Sequence, residues 1–287
     1  MTTTIKELSD VLITSVKYAS KKIREYKSQL KVEIKHDGSE VTQVDKLSQN
    51  YIISIITMKY PGIKIIGEEE VIEGTYRKEE LPEIESKEYP IENKEIKISD
   101  VIIYIDPLDG TSCYIKKYYE NVSVLVGATY QGKPFIGVVS KPFIKNEIYY
   151  AIEKYHCKIE QKEKIENKIL FTSSRSNDVK ELIKGFPEPY ELKYKGGSGS
   201  KIISIIKNES DIYYHPVVQS CCWDTLAGQV ILEAFGGKVC DIHGNALKYP
   251  TSKEEGYVHK TGVLCMSERS LRYLHFIMNI SENMLID

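Results

Sequence analysis

Apolar residues recur at Ile5, Leu8, Val11, Leu12, Val16, Ala19 and Ile23. This is the i, i+3, i+4 spacing of one helix face, and it predicts a helix over Ile5–Leu30, closed before the polar turn Lys35-His36-Asp37-Gly38. A second helix is expected from Thr42 to Tyr60, with Thr42 as N-cap and Pro61-Gly62 as stop. Ile63–Ile66 then reads as a short strand running into Gly67-Glu68-Glu69-Glu70. Val71–Ser99 is a charged excursion with Pro82 and Pro90 inside it, expected as a surface insertion or lid. Strand patterns follow at Val101–Ile105, Val122–Tyr130, Pro134–Ser140 and Glu147–Ile152, with Gln131-Gly132 as a hairpin turn.

The Lys/Glu stretch Lys154–Lys168 marks the expected boundary between an N-terminal half, residues 1–156, and a C-terminal half, 157–287. Beyond it, strands and helices alternate. Strands are expected at Ile169–Thr172, Glu191–Tyr194, Ile212–Tyr214, Lys238–Cys240 and Gly262–Cys265. Helices are expected at Asp178–Lys184, after the loop Gly196–Ser200 as far as Lys207, over Trp223–Phe235, and from Glu268 onward. This alternation points to an α/β layered fold.

The densest chemistry lies in Val101–Ser112, V-I-I-Y-I-D-P-L-D-G-T-S. A rigid strand delivers Asp106 and Asp109 to one point, and carboxylates are hard ligands of the kind Mg²⁺ prefers. Pro107 stiffens the turn, and Gly110 permits close backbone approach to an anion. The plain alternative is an Asp-Pro turn closing a strand. Three further acidic points stand at comparable places: Asp45 near a helix start, Glu68 with Glu69 after a strand, and Asp224 beside Trp223 at another helix start. Each also has an ordinary role as a capping or loop acid. Together they occupy the strand ends and helix starts where layered α/β folds present ligand groups. Without a cation, five converging carboxylates would repel and their pKa values would rise. Paired metal ions would relieve that repulsion and serve hydrolysis. Thr111 is suited to holding a water and passing a proton toward a carboxylate, or to capping the next helix, and the two roles are compatible.

Composition narrows the classes. The chain has 287 residues, 41% hydrophobic and 28% charged, with a net charge of −2. That is globular, and it lacks the basic excess of a dedicated nucleic-acid binder. The six cysteines form no C-x-x-C pair and no zinc spacing with histidine. Residues 1–10 have no apolar signal-peptide core, and no run approaches the ~20 apolar residues of a membrane span. The expectation is a cytoplasmic chain with free thiols, monomeric, with no nucleic-acid or membrane partner. Gly196-Gly-Ser-Gly-Ser-Lys201 lacks the Walker pattern. It reads as a Gly-rich helix entry whose N–H groups and Lys201 would meet an anion, or as a plain cap with a solvated lysine. No EF-hand loop is present.

Gly67-Glu68-Glu69, Asp106-Pro-Leu-Asp-Gly-Thr111 and Trp223-Asp224 resemble the three motifs of the Mg²⁺-dependent, lithium-sensitive phosphomonoesterases of the inositol monophosphatase superfamily. Val41-Thr-Gln-Val-Asp45, Glu120–Gly127, Gly199–Ile203 and Gly236–Asn245 are similar to its bisphosphate nucleotidase branch. The resemblance runs over nearly the whole chain. It implies an α-β-α-β-α five-layer sandwich. It also implies metal ligation by Glu68, Asp106, the Leu108 carbonyl, Asp109 and Asp224, with Asp45 at the same centre. Thr111 and Asp45 would activate water, and phosphate would lie against Gly110–Ser112. Ser174, Asn177, Gly197 and Lys201 would line the substrate pocket. The implied activity is Mg²⁺-dependent hydrolysis of 3′-phosphoadenosine 5′-phosphate, inhibited by Li⁺. The alternatives are an inositol polyphosphate 1-phosphatase, a dual enzyme, or an inactive metal and nucleotide sensor. The pattern departs at Asn177, where nucleotidases of that branch tend to carry His. An Asn donates a hydrogen bond but carries no charge.

Overall fold

The computed structural model describes residues 1–27, 31–35, 38–69, 81–145, 147–163, 168–173, 179–180, 183–251 and 256–282. Two sheets organise them. The first has six strands, in the order Tyr155–His156, Ile148–Ile152, Lys133–Ser140, Ser123–Tyr130, Val101–Asp109 and Lys64–Gly67. Its pairs are antiparallel except the last, where Lys64–Gly67 runs parallel to Val101–Asp109. The second has five strands, in the order Tyr190–Tyr194, Ile169–Ser173, Ile212–His215, Val263–Met266 and Lys238–Cys240, parallel over the first three and antiparallel over the rest.

The period-two alternation of these strands explains the layering, because successive side chains point to opposite faces. Val101, Ile103 and Ile105 join one core with the helices Ile5–Tyr26 and Gln43–Lys59. Ile102 and Tyr104, on the other face, meet Cys222 and Leu226 of the helix Cys222–Ala234. That helix and its neighbour Ser198–Ile206 form the middle layer, which also packs against Tyr213, Val239, Val263 and Cys265 of the second sheet. The opposite face of that sheet, with Phe171, Tyr214, Leu264 and Met266, is covered by Tyr273 and by Ile277 of the helix Leu274–Glu282. The result is the α-β-α-β-α sandwich expected from the sequence. Among the described residues no helix is long and apolar enough to cross a membrane.

Two glycines set the spacing of the middle layer. Gly127 and Gly137 are register partners on adjacent strands. A Cβ at Gly137 would lie 2.2 Å from the Ala227 carbonyl oxygen, and one at Gly127 would lie 2.7 Å from the Leu226 side chain. Their missing side chains let the helix Cys222–Ala234 sit directly on the sheet, which carries its N-terminal end to the ends of the strands.

Several local readings change. The strand from Val101 does not stop at Ile105; it continues to Asp109 across a register shift between Asp106 and Asp109. Residues 81–99 form a strap fixed to the first helix. Asp10 accepts hydrogen bonds from the Tyr89 hydroxyl (2.5 Å), the Lys87 N–H (3.2 Å) and Ser86 Oγ (3.2 Å). Glu95–Lys97 pairs with a strand at Thr2–Thr4 that the hydropathy pattern did not reveal. Residues 70–80, the rest of the charged excursion, lie outside the described residues. Of the helix expected at Asp178–Lys184, Asp178, Glu181 and Leu182 also lie outside them; Val179 and Lys180 are helical, and Ile183 and Lys184 belong to a 3₁₀ turn, Ile183–Gly185.

Candidate active site

The acidic residues converge where the six-stranded sheet, the second helix and the two middle-layer helices meet. Asp45 is the third residue of Gln43–Lys59. Its carboxylate accepts the Thr42 N–H at 2.9 Å, while Thr42 Oγ1 accepts the Asp45 N–H in return at 3.4 Å. This reciprocal cap holds the carboxylate at the helix N-terminus. On the other oxygen, Thr111 Oγ1 donates to Asp45 Oδ1 at 2.9 Å and also lies 3.2 Å from the Leu108 carbonyl. Thr111 opens the short helix Thr111–Ile115, entered through Gly110 at φ 84°. Burial pushes the Asp45 carboxyl up to about 7, against the hydrogen bonds from Thr42 and Thr111.

Asp106 lies inside the strand and is 2% exposed. Its Oδ1 accepts the Leu108 N–H at 3.1 Å. Burial first, and then the charges of Glu68, Asp109 and Asp224, raise its pKa well above the ordinary carboxylate value. Asp224 is the third residue of Cys222–Ala234 and accepts the Cys221 N–H at 2.6 Å. Burial and the Glu68 charge push it up to about 7. The neighbouring acids Glu68 and Glu69 diverge. The Glu68 charge acts on Asp106 and Asp224, whereas Glu69 is buried and its charge acts on Asp45. Lys35 reaches both, at 2.9 Å from Glu68 Oε1 and 2.5 Å from Glu69 Oε1.

Asp109 is held differently. Its Oδ2 accepts from Ser123 Oγ at 2.6 Å and from the Gly199 N–H at 2.9 Å, and its Oδ1 accepts from the Ser198 N–H at 2.8 Å. Ser198 and Gly199 open the helix Ser198–Ile206, so a carboxylate of the first sheet caps a helix of the second half. A carboxylate has about four acceptor positions, so Asp109 retains room on Oδ1 for one more partner. Gly197, at φ 70°, leaves no space for a side chain there: a Cβ would stand 2.4 Å from the Asn121 carbonyl and 2.8 Å from Asp109 Oδ2.

One buried lysine belongs to this helix and another reaches it from outside. Lys201 lies over the Tyr213 ring, 4.6 Å from its centroid. Burial lowers its ammonium to about 8, against the attraction of Asp109 and Asp224. Lys141 donates to Ser200 Oγ at 2.8 Å and to the Glu120 carbonyl, and burial likewise lowers it to about 8. Beside the carboxylates opens a cavity of about 330 Å³ lined by Gly110, Ser112, Cys113, Tyr194, Lys195 and Gly197, among others. A larger cavity, about 1010 Å³, lies by Pro90, Phe135 and Tyr155, where none of the acidic cluster reaches. Chemistry, not size, therefore identifies the site.

Of the residues singled out from the sequence, Asp45, Glu68, Asp106, Leu108, Asp109, Gly110, Thr111, Gly197, Lys201 and Asp224 come together around this centre. Ser112 sits on the cavity wall, its Oγ accepting from Lys116 Nζ at 2.9 Å. Ser174 and Asn177 lie outside the described residues. Sequence reasoning passed over Lys35, Ser123 and Lys141, because hydropathy and motif spacing carry no sign of a partner distant in sequence.

The donor set suits a hard divalent cation. The charges of Glu68, Asp109 and Asp224 raise the proton affinity of Asp106, those of Glu68 and Asp109 raise that of Asp224, and a cation is the counter-charge that relieves this. Among the described residues these side chains do not close into a preformed three-donor cage; Lys35 bonds Glu68 instead.

The chain is 32% identical over 263 residues to the mouse (Mus musculus) protein 3′(2′),5′-bisphosphate nucleotidase 1, covering 85% of this chain and 84% of that one. It is 33% identical over 240 residues to the human (Homo sapiens) protein of the same name, covering 78% and 77%. An inositol monophosphatase (IMPase) structure from Thermotoga maritima superposes with a TM-score of 0.70 over 94% of this chain and 96% of that chain, at 18% identity, which speaks to the fold. Residues 4–278 match the model of the inositol monophosphatase family, and the chain belongs to that family.

Proposed function

We propose that this phosphatase is a Mg²⁺-dependent phosphomonoesterase that hydrolyses the 3′-phosphate of 3′-phosphoadenosine 5′-phosphate, giving AMP and phosphate. The nucleotide assignment is supported by the names of the mouse and human relatives. The catalytic assignment rests on one observation: the 2.9 Å hydrogen bond from Thr111 Oγ1 to Asp45 Oδ1 beside the buried carboxylates.

In this reading Glu68, Asp106, the Leu108 carbonyl, Asp109, Asp224 and Asp45 would hold the Mg²⁺ ions. When bound, these would neutralise the carboxylates and polarise the phosphoryl oxygens. The remaining work falls to the chain. The Thr111 hydroxyl has one hydrogen and directs it to Asp45, so its lone pairs face outward and accept a hydrogen bond from the attacking water. As that water loses a proton, the relay Thr111 to Asp45 takes it up. The phosphate lies against the backbone at Gly110–Ser112, where Gly110 allows close approach. Gly197 and Lys201, with Ser174 and Asn177, complete the substrate side, and the halves 1–156 and 157–287 work as one unit across Asp109. Attack is direct, with no phosphoenzyme, since the Thr111 hydroxyl is occupied in orienting water.

The test is phosphate release by the purified protein with Mg²⁺, offered 3′-phosphoadenosine 5′-phosphate and inositol 1,4-bisphosphate in parallel, each with and without millimolar Li⁺. We expect preference for the nucleotide and inhibition by Li⁺. Preference for the inositol would reassign the substrate, and release from neither would overturn the catalytic reading.

A further inference from the structure

Lys141 is 5% exposed, and its ammonium meets two neutral oxygens: it donates to Ser200 Oγ at 2.8 Å and to the Glu120 carbonyl. Glu147, whose carbonyl accepts the Lys141 N–H at 2.9 Å, bonds its carboxylate to Lys207 at 2.7 Å instead. Burying a charge without an opposite charge in contact is expensive, and an apolar side chain of similar length would fill this space at lower cost. Stability alone therefore does not explain a lysine here; the two segments that it joins do.

Strand register explains its reach. Asp109 and Ser123 are partners across the first sheet, and so are Val124 and Ser140. Continuing the second pairing by one residue sets Lys141 beside Ser123, so Asp109, Ser123 and Lys141 form a row across three strands. The first turn of the helix Ser198–Ile206 rests on this row. Asp109 accepts the Ser198 and Gly199 N–H groups, Ser123 Oγ would stand 2.7 Å from a Cβ on Gly199, and Lys141 donates to Ser200, which is 1% exposed. The other bond of Lys141 holds the turn Tyr119–Asn121. The next carbonyl in that turn, of Asn121, closes on both glycines beside the carboxylate: it would lie 2.4 Å from a Cβ on Gly197 and 2.9 Å from one on Gly110. Lys141 thus joins the helix start that caps Asp109 to the turn that packs against the glycines around it.

We infer that Lys141 is a positioning residue for the metal centre: by holding the start of the helix Ser198–Ile206 against the Tyr119–Asn121 turn, it fixes where the Asp109 carboxylate points. The inference rests on the reading of Asp109 as a metal ligand. Lys141 acts through Ser200 and Glu120, not on the ion itself. Groups that orient a ligand from behind in this way typically account for about 10–100-fold in metal affinity.

The experiment titrates Mg²⁺ calorimetrically into the full-length protein without substrate, for the wild type, Lys141→Met, Ser200→Ala and the double variant. Ile277→Val, in the core on the far face of the second sheet, serves as a control for lost stability. Lys141→Met keeps the apolar stem and removes the donor, whereas Ser200→Ala removes only the acceptor on the helix. The expected result is roughly tenfold weaker Mg²⁺ binding in Lys141→Met, a smaller loss in Ser200→Ala, and no further loss in the double variant. The Mg²⁺ concentration for half-maximal phosphate release should shift in the same order, with kcat at saturating Mg²⁺ little changed. The sign is decisive. The Lys141 charge acts on Asp109 from a distance, so its removal would by itself tighten the binding of a cation, and weaker binding reports displaced geometry. Ile277→Val should lower Tm and leave Mg²⁺ affinity at the wild-type value; weakening there equal to that of Lys141→Met overturns the proposal. Wild-type or tighter binding in Lys141→Met, whatever its Tm, overturns it too. If that variant does not fold, Ser200→Ala decides, and wild-type affinity in it is the overturning result. The expected Mg²⁺ pattern without phosphate release from either substrate would sink the proposed hydrolysis and leave the positioning role standing. Absence of Mg²⁺ binding in the wild type would sink both.

Discussion

The carboxylate of Asp109 and the backbone N–H of Gly199 lie 2.9 Å apart, although the two residues belong to different sheets' layers and are ninety positions apart in the chain. With the Ser198 N–H and Ser123 Oγ, this contact ties the acidic strand to the helix that carries Lys201. The active centre is thus assembled at a seam between the two halves, and its integrity depends on how closely they approach.

Gly197 is the tightest point of that seam. We expect Gly197→Ala to fail on two counts. At φ 70° and ψ 129° its backbone lies outside the left-handed helical well, in a sparsely populated conformation that costs a side-chain-bearing residue on the order of 1–3 kcal/mol. The new Cβ would also meet the Asn121 carbonyl at 2.4 Å. The variant should show a lower Tm and a large loss of phosphate release, measured by thermal denaturation and turnover on one preparation. Wild-type values for both would contradict the described seam.

Thr111→Val should keep the fold and lose activity by roughly 10²–10⁴-fold, the usual contribution of a positioned proton-transfer group. Thr111→Ser, which preserves the hydroxyl, should recover much of the rate. The split belongs in kcat, with KM little changed, because the hydroxyl orients water rather than substrate. Equal damage from both substitutions would argue against the water-positioning role.

Stability should depend on pH in an unusual sense when metal is withheld. Asp45 and Asp224 titrate near 7 in the folded chain, against 3.8 for an ordinary aspartate. Between those values the folded state binds more protons than the unfolded one, so the free energy of unfolding falls as pH rises. Asp106 and Asp109, also raised by burial, act in the same direction. In chelator the Tm should therefore decline from pH 5 to pH 8. Millimolar Mg²⁺ should recover most of the loss at the upper end. A Tm that rises over that range without metal would refute the buried, mutually repelling cluster.

Gly137→Ala tests the other support of the site. The added methyl would lie 2.2 Å from the Ala227 carbonyl oxygen, so the helix that carries Asp224 must lift from the sheet. Overpacking of this kind costs about 1–3 kcal/mol. Denaturant titration should show that loss, with reduced activity accompanying it even though Gly137 is remote from the acidic cluster in sequence. Unchanged stability would mean that the helix has slack the structure does not show.

Much of this protein is written locally. The helix Ile5–Tyr26, the strands from Val101 to Ser140 and the alternating second half follow from side-chain periodicity, because one-sided and two-sided burial leave different repeats. The candidate centre was legible for a related reason. Asp45, Asp106, Asp109, Thr111 and Asp224 stand in short local frames, a cap or a strand end, that the sequence marks, although Asp109 is then held by Ser123, Ser198 and Gly199 and Asp45 by Thr111. What no local pattern carries is a contact between distant segments. The Lys35 bridge to Glu68 and Glu69, the Lys141 bond to Ser200, the strap from 81 to 99 on Asp10, and the strand Thr2–Thr4 depend on where the chain returns in space. So does the rise of the carboxyl pKa values, since burial and mutual repulsion exist only once the layers have closed. Residue types determine which groups are available for chemistry; tertiary packing decides which of them lose water and face one another.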